Sequence, residues 1–326
     1  MHRTMKVFVL LLSTIVATAS SGAIIGGWGD YTFEYIPNKL HIPSPANVDN
    51  IHGIAVDVDD NIIVTFQDKN ASDLCMVRFT ADDDYAEGKL FGPGASLCAG
   101  VPHGLRLIDE EGEPFLYHAN NAQKLRKTTL DGEIIWAIDE IPDENMNAST
   151  YSPTWFAAQD GSNFVYMTDG YGSSKIYVYT KDGKYTGFSF GGIGSDHGQF
   201  MTSHSITYDW RVDMMVVSDR ENHRLEYFSI DPEDPSIFEY EKTVEVEGLQ
   251  RPCNIRFDEN GVGIIPDLQG PVIIVDENNT LLSVVNVTEM LGVEGFLHPH
   301  DAHWLLNGDF VVVTWAPGEI GYFKKQ

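Results

Sequence analysis

The sequence predicts an all-β chain folded as a six-bladed β-propeller, and three observations carry the prediction. Short runs of β-branched and aromatic residues, split by Asp/Asn/Gly turns, recur along the whole body of the chain. They recur at a near-constant period. Beyond the first residues no useful length of sequence shows the apolar spacing of a helix.

Residues 1–22 come first, within MHRTMKVFVLLLSTIVATASSGA: a basic start, an apolar run from Val7 to Val16, then small residues. They read as a secretory signal peptide with the mature domain at 23–326; a signal anchor is the alternative, but the run is short for a bilayer span. The repeated units follow as IAVDVDDNIIVTF, LRLIDEEGEPFLYHA, WFAAQDGSNFVYMTD, ITYDWRVDMMVVSD, IRFDENGVGIIPD and AHWLLNGDFVVVTW. Each reads as strand, tight turn, strand, because period-2 apolar residues flank turn formers. Third strands follow, as in KIYVYTKDGKY and RLEYFSI. Just before each first strand stands an equivalent position: His52, His103, Thr154, His204, Cys253 and His300, spaced by 51, 51, 50, 49 and 47 residues. A period of that size with three or four strands per unit is a propeller; a β-helix has shorter coils and a sandwich would not repeat so regularly. The last unit ends at GEIGYFKK with three strands, so the spare segment Tyr31–Ile36 is expected to complete it and remove a free sheet edge.

The chain has 326 residues, 43% of them hydrophobic, with 48 acidic against 21 basic residues and a net charge of −27. Such a surface cannot bind nucleic acid by counterion release and is repelled by anionic membranes. Asn70, Asn147, Asn278 and Asn286 each open a glycosylation sequon, which fits a secreted protein or one in the secretory-pathway lumen. Of the three cysteines, Cys75 and Cys98 make the simplest bridge in an oxidising compartment and leave Cys253 over. A soluble monomer with no membrane span is expected.

In a propeller the equivalent positions of the innermost strands ring a central channel. Units two, four and six place His103, His204 and His300 there, about 120° apart in a six-bladed ring. Three imidazoles can then meet at one axial point and leave a fourth position open, the arrangement of a catalytic zinc. His52 breaks the alternation and is expected to line the channel without touching the metal, with His298 outside as well. The competing reading is a ring of hydrogen-bonded channel histidines.

DGYGSSK (169–175), GQFMTSHS (198–205), SDRENHR (218–224) and HPHDA (298–302) resemble the peptidyl-α-hydroxyglycine α-amidating lyase family, six-bladed propellers of the NHL type. The resemblance runs over roughly residues 45–320. It implies zinc on His103, His204 and His300, a catalytic Tyr171 and a substrate-binding Arg220. It also implies a structural calcium on the backbone oxygens of Ile54 and Leu105 and the carboxylate of Asp301. The implied reaction is a zinc-dependent lysis of a peptide ending in α-hydroxyglycine, giving a peptide amide and glyoxylate. Tyr171 would be the base, with a pKa brought down from about 10 by Arg220 and the zinc. The chain departs from the family pattern at Gln67, where a second arginine stands, at His298 in place of Met, and at Gly172 in place of Cys. No monooxygenase module precedes the propeller, so a stand-alone lyase is expected. The alternatives are a non-catalytic secreted NHL propeller that binds a ligand or protein on its loops, and a metal-dependent propeller lactonase.

Overall fold

Adjacent apolar residues of one strand go to opposite faces, and here both faces are covered. Ile264, Val272 and Ile274 pack toward the sheet that follows, while Ile265, Ile273 and Val275 pack toward the one before. That is why runs such as GIIP and VIIV are apolar throughout, with no polar alternation. Six such clusters fill the six spaces between neighbouring sheets.

The computed structural model describes residues 17–18, 23–70, 73–142, 150–292 and 298–326. Within them lie six antiparallel sheets arranged as propeller blades. From the channel outward, blade 1 runs Val48–Val56, Ile62–Asp68, Met76–Phe79 and Lys89–Phe91. Blade 2 runs Pro102–Glu110, Glu113–Asn120, Lys124–Thr128 and Ile134–Ile138, and blade 3 runs Trp155–Ala157, Phe164–Thr168, Lys175–Thr180 and Tyr185–Gly191. Blade 4 holds Ser203–Asp209, Met214–Asp219, Arg224–Ile230 and Phe238–Val244; blade 5 holds Arg256–Phe257, Gly263–Pro266, Val272–Val275 and Leu281–Val285.

Blade 6 departs from the four-stranded expectation. Pro299–Trp304, Phe310–Thr314 and Ile320–Lys325 are followed by Tyr31–Tyr35, Ile24–Trp28 and the pair Ala17–Thr18, six strands in all. Tyr31–Tyr35 closes the ring antiparallel to Ile320–Lys325, with Tyr35 opposite Phe323. The addition comes from a hairpin turned at Gly29 (φ 60°), which lays Ile24–Trp28 over what would be an open edge. Residues 1–16 and 19–22 of the expected signal peptide lie outside the described residues, as does Asn147. Asn70 and Asn278 are exposed and Asn286 is half-buried. No helix among the described residues is long and apolar enough to cross a membrane.

A repeated acceptor holds each blade's entry loop. Asp68, Asn120 and Asp219 end the second strands of blades 1, 2 and 4, and Asp169 and Asp267 directly follow those of blades 3 and 5. Each accepts a backbone N–H from the segment leading into its own blade: Asn47, Val101, Ser152, Met201 and Gln250. These carboxylates and amide therefore fix the height at which the channel residues enter.

Cys75 and Cys98 form a disulfide with Cα atoms 5.3 Å apart, and Cys253 is a buried free thiol. The bridge closes a separation of 23 residues. Replacing both cysteines by alanine is expected to cost about 3 kcal/mol, read as a Tm lower by roughly 5–10 °C. Thiol titration without reductant should find one reactive group, and only after unfolding; three would show that the bridge does not form.

Candidate functional site

The channel histidines are aimed by bulges. In blades 1, 2, 4 and 6 the pairing of first and second strands slips at the anchor itself: between Ile51 and Gly53, Pro102 and Leu105, Ser203 and Ser205, and Pro299 and Asp301. An unpaired residue at a bulge can turn its side chain out of the pleat, here toward the axis. Gly104 is required beside the second bulge, since a Cβ there would lie 2.2 Å from the Thr154 carbonyl oxygen of the next blade.

That carbonyl belongs to a set. His103 Nδ1 lies 2.8 Å from Thr154 O, His204 Nδ1 lies 2.6 Å from Cys253 O, and His300 Nδ1 lies 2.9 Å from His52 O. Each alternate-blade imidazole thus donates to the equivalent position one blade on. A carbonyl only accepts, so all three carry their proton on Nδ1 and present the Nε2 lone pair to the channel. Burial drives the pKa of each well below the ordinary histidine value, and neighbouring cationic and imidazole groups add to the effect. The neutral rings crowd together: centroids are 5.2 Å apart for His103 and His204, 4.5 Å for His103 and His300, and 4.7 Å for His204 and His300.

His204 Nε2 and His300 Nε2 are 3.1 Å apart. With both protons on Nδ1, two lone pairs face each other there, an arrangement that calls for a cation between them. This donor set fits zinc, which takes neutral imidazole nitrogens and tolerates three protein ligands with an open position. His52 joins the cluster, stacked on His103 at 4.6 Å. His52, His103 and His300 each bring one nitrogen within 4.8 Å of the others, so a second triad shares two members with the first. Burial takes the pKa of His52 down to about 3, with the Pro102 backbone opposing. The sequence reading had placed His52 outside the metal's reach; the structure brings it into the same group. His298 lies apart, with Nδ1 3.0 Å from Leu268 O and its ring 5.4 Å from Trp315.

Tyr171 and Arg220 enter from matching turns, each following the second strand of its blade. Asp169 accepts from Ser173 at 2.7 Å and Asp219 accepts from Arg224 at 2.8 Å, which sets both turns. Tyr171 Oη lies 3.2 Å from His103 Nε2 and 3.0 Å from His204 Nε2, and accepts from Arg220 Nη1 at 3.1 Å. Tyr171 is 41% exposed at the channel mouth, while its hydroxyl sits among these groups. Burial pushes that hydroxyl up to about 12, with Arg220 opposing. Arg220 acts in the expected direction, downward, but desolvation outweighs that one guanidinium; the charge of a bound zinc would act on the same side as Arg220. Burial likewise raises the Cys253 thiol to about 12, so it is a neutral wall residue.

A cavity of about 300 Å³ opens over this group, lined among others by Asn50, His52, Tyr171, Arg220, His300 and Trp315. Gln67 stands behind its wall, accepting from Asn50 Nδ2 at 2.7 Å. At Gly172 a Cβ would meet the Thr150 carbonyl at 2.0 Å, so this turn has no room for the family's cysteine. A larger cleft of about 590 Å³, lined in part by Arg106, Gln159, Lys181 and Trp210, lies at the other end of the inner strands, away from the imidazoles.

The oxygens expected to hold calcium hold a side chain instead. Arg256 Nη2 donates to Ile54 O at 2.7 Å, Leu105 O at 3.3 Å and Asp301 Oδ2 at 2.7 Å. The sequence reading missed Arg256. Its signal was a charged residue three positions past the anchor Cys253, where units one, three and four carry Ala55, Ala157 and Thr207, although unit two carries Arg106 and unit six His303 at the same place.

No family model matches the chain. It is 27% identical over 139 residues to the peptidylglycine α-amidating monooxygenases of Rattus norvegicus and Mus musculus, which is 41% of this chain but only 14% of either relative. Among solved structures, it resembles a catalytically inactive virginiamycin B lyase from Staphylococcus aureus bound to quinupristin, with TM-score 0.56, 13% identity, and 94% and 93% of the two chains covered. It also resembles a gluconolactonase from Xanthomonas campestris, with TM-score 0.58, 11% identity, and 94% and 90% covered. At these identities the structural likeness is one of fold.

Proposed function

We propose that this propeller is a secreted, zinc-dependent lyase that cleaves peptides ending in α-hydroxyglycine into a peptide amide and glyoxylate. The observation that carries the reading is the Tyr171 hydroxyl, held between the Nε2 atoms of His103 and His204 and bonded to Arg220. The distant similarity to the amidating monooxygenases supports the same chemistry.

His103, His204 and His300 would hold the metal, their rings oriented by the three backbone carbonyls. Bound there, zinc supplies Lewis acidity that lowers the pKa of a hydroxyl it polarises and adds positive charge beside Tyr171. Arg220 receives the substrate's terminal carboxylate and stabilises the phenolate form of Tyr171. Tyr171 takes the proton from the α-hydroxyl. The oxygen's electron pair then forms the glyoxylate carbonyl as the C–N bond breaks, and the departing amide nitrogen takes the proton back from Tyr171. Trp315, 43% exposed beside the cavity, offers an apolar face to the preceding residue of the peptide.

One observation favours the non-catalytic alternative: Gln67 is bonded to Asn50, so the wall behind the cavity carries an amide where the family has a second guanidinium. The test is direct. The zinc-loaded chain is incubated with a short peptide ending in α-hydroxyglycine, and glyoxylate and peptide amide are measured together. Equimolar release that stops on zinc removal and returns on its restoration is expected. Bound zinc without release above the spontaneous rate would overturn the lyase reading in favour of a binding protein.

A further inference from the structure

The chain carries its own axial cation. We infer that the Arg256 guanidinium permanently fills the position at which the family resemblance implies a structural calcium, so that the lower channel is held together without metal. This stands apart from the lyase reading and depends on none of its residues.

The geometry is that of a filled cation site. Blades 1 and 2 each offer a backbone oxygen, Ile54 O and Leu105 O, and blade 6 offers Asp301; Arg256 Nη2 reaches all three. Arg256 Nε adds a bond to Asp301 Oδ1 at 3.1 Å. The remaining capacity of the carboxylate is taken as well. Asp301 Oδ1 accepts from Asn254 Nδ2 at 3.0 Å and from Ala302 N at 3.0 Å, and Oδ2 accepts from Ile54 N at 2.9 Å. An ionised carboxylate has about four lone-pair sites, and five donors already crowd this one. Calcium needs six to eight oxygens at about 2.3–2.6 Å, and here it would also have to sit against a fixed positive charge.

A guanidinium suits the position physically. Its fork spans the two carboxylate oxygens while one nitrogen still points at the carbonyls, which a spherical ammonium could not do. The Arg256 side chain is 5% exposed and Asp301 is fully buried, so each charge compensates the other where water cannot. The guanidinium also lies 5.7 Å from the Trp155 ring of blade 3. Rising from blade 5, it therefore touches blades 1, 2, 3 and 6 and ties the inner strands as a bound ion would.

Thermal unfolding of the full chain, in calcium-depleted buffer and at about 1 mM calcium with zinc held constant, tests this. Wild type is expected to melt at the same temperature in both, within about 1 °C. Arg256→Ala removes the cation and frees the oxygens. Without calcium its Tm should fall by roughly 5–10 °C, and calcium should restore at least half of that. Arg256→Met, which fills the space without charge, should fall comparably and not respond. Should Arg256→Ala fail to fold, Arg256→Lys keeps a cation in place and is expected to fold and to remain indifferent to calcium. Calcium stabilisation of wild type or of Arg256→Lys as large as that of Arg256→Ala overturns the inference. So does an Arg256→Ala protein that calcium leaves unchanged.

Discussion

Replacing His204 by alanine is expected to remove both bound zinc and glyoxylate release, whereas replacing His52 by alanine leaves both in place. The two substitutions separate the triads that the channel contains. His103 and His300 belong to both, so only the third member decides between them. The choice of His204 rests on proton position. His103, His204 and His300 each donate Nδ1–H to the next blade and must therefore offer Nε2 as a lone pair. His204 Nε2 and His300 Nε2 face each other at 3.1 Å, an arrangement a metal relieves. Without His204 only the triad of His52, His103 and His300 is left, so a fall in zinc content from about one equivalent to a small fraction assigns the metal to the triad that includes His204. Activity should drop by at least ~10³-fold. Metal analysis of the two variants beside wild type gives the answer. Zinc kept in His204→Ala and lost in His52→Ala would move the metal to the other triad.

Tyr171→Phe should lower kcat by about 10²–10⁴-fold while zinc content and KM stay near wild type. In free-energy terms that is roughly 3–5 kcal/mol of barrier. The substitution removes one oxygen and keeps the ring, so the packing of the aromatic face over Arg220, at 5.2 Å, survives. What disappears is, among the described residues, the only hydroxyl placed against two channel imidazoles and a guanidinium together. Burial raises this hydroxyl and Arg220 opposes it, so the charge of a bound zinc would be the further influence that makes it a base. The kcat effect should therefore be confined to the chemical step and visible in single-turnover release of glyoxylate. A Tyr171→Phe enzyme within threefold of wild type would remove Tyr171 from the proton path, and with it the observation on which the lyase proposal rests.

The number of blades and the membership of the ring were legible along the chain, because both depend on local alternation and on a period that repeats. His52, His103, His204 and His300 could be named from spacing alone, and the closing strand Tyr31–Tyr35 from a run left over at the start. The second closing strand, Ile24–Trp28, was not anticipated, since a short apolar run beside a leader-like segment has no periodic partner to mark it.

Sequence by itself determined that this protein is a six-bladed propeller with alternate imidazoles on its axis, since the polypeptide carries that information residue by residue. Only the tertiary structure decided three further things: that bulges turn the imidazoles inward, that His52 stands close enough to compete as a ligand, and that Arg256 takes the oxygens of Ile54, Leu105 and Asp301. It also set burial against Arg220 at the Tyr171 hydroxyl, an influence that a charge count along the chain does not register. The physical reason is common to all of them. Each depends on which groups from different blades meet across the axis, and on how much water their meeting expels. Neither quantity is written in the neighbourhood of any one residue.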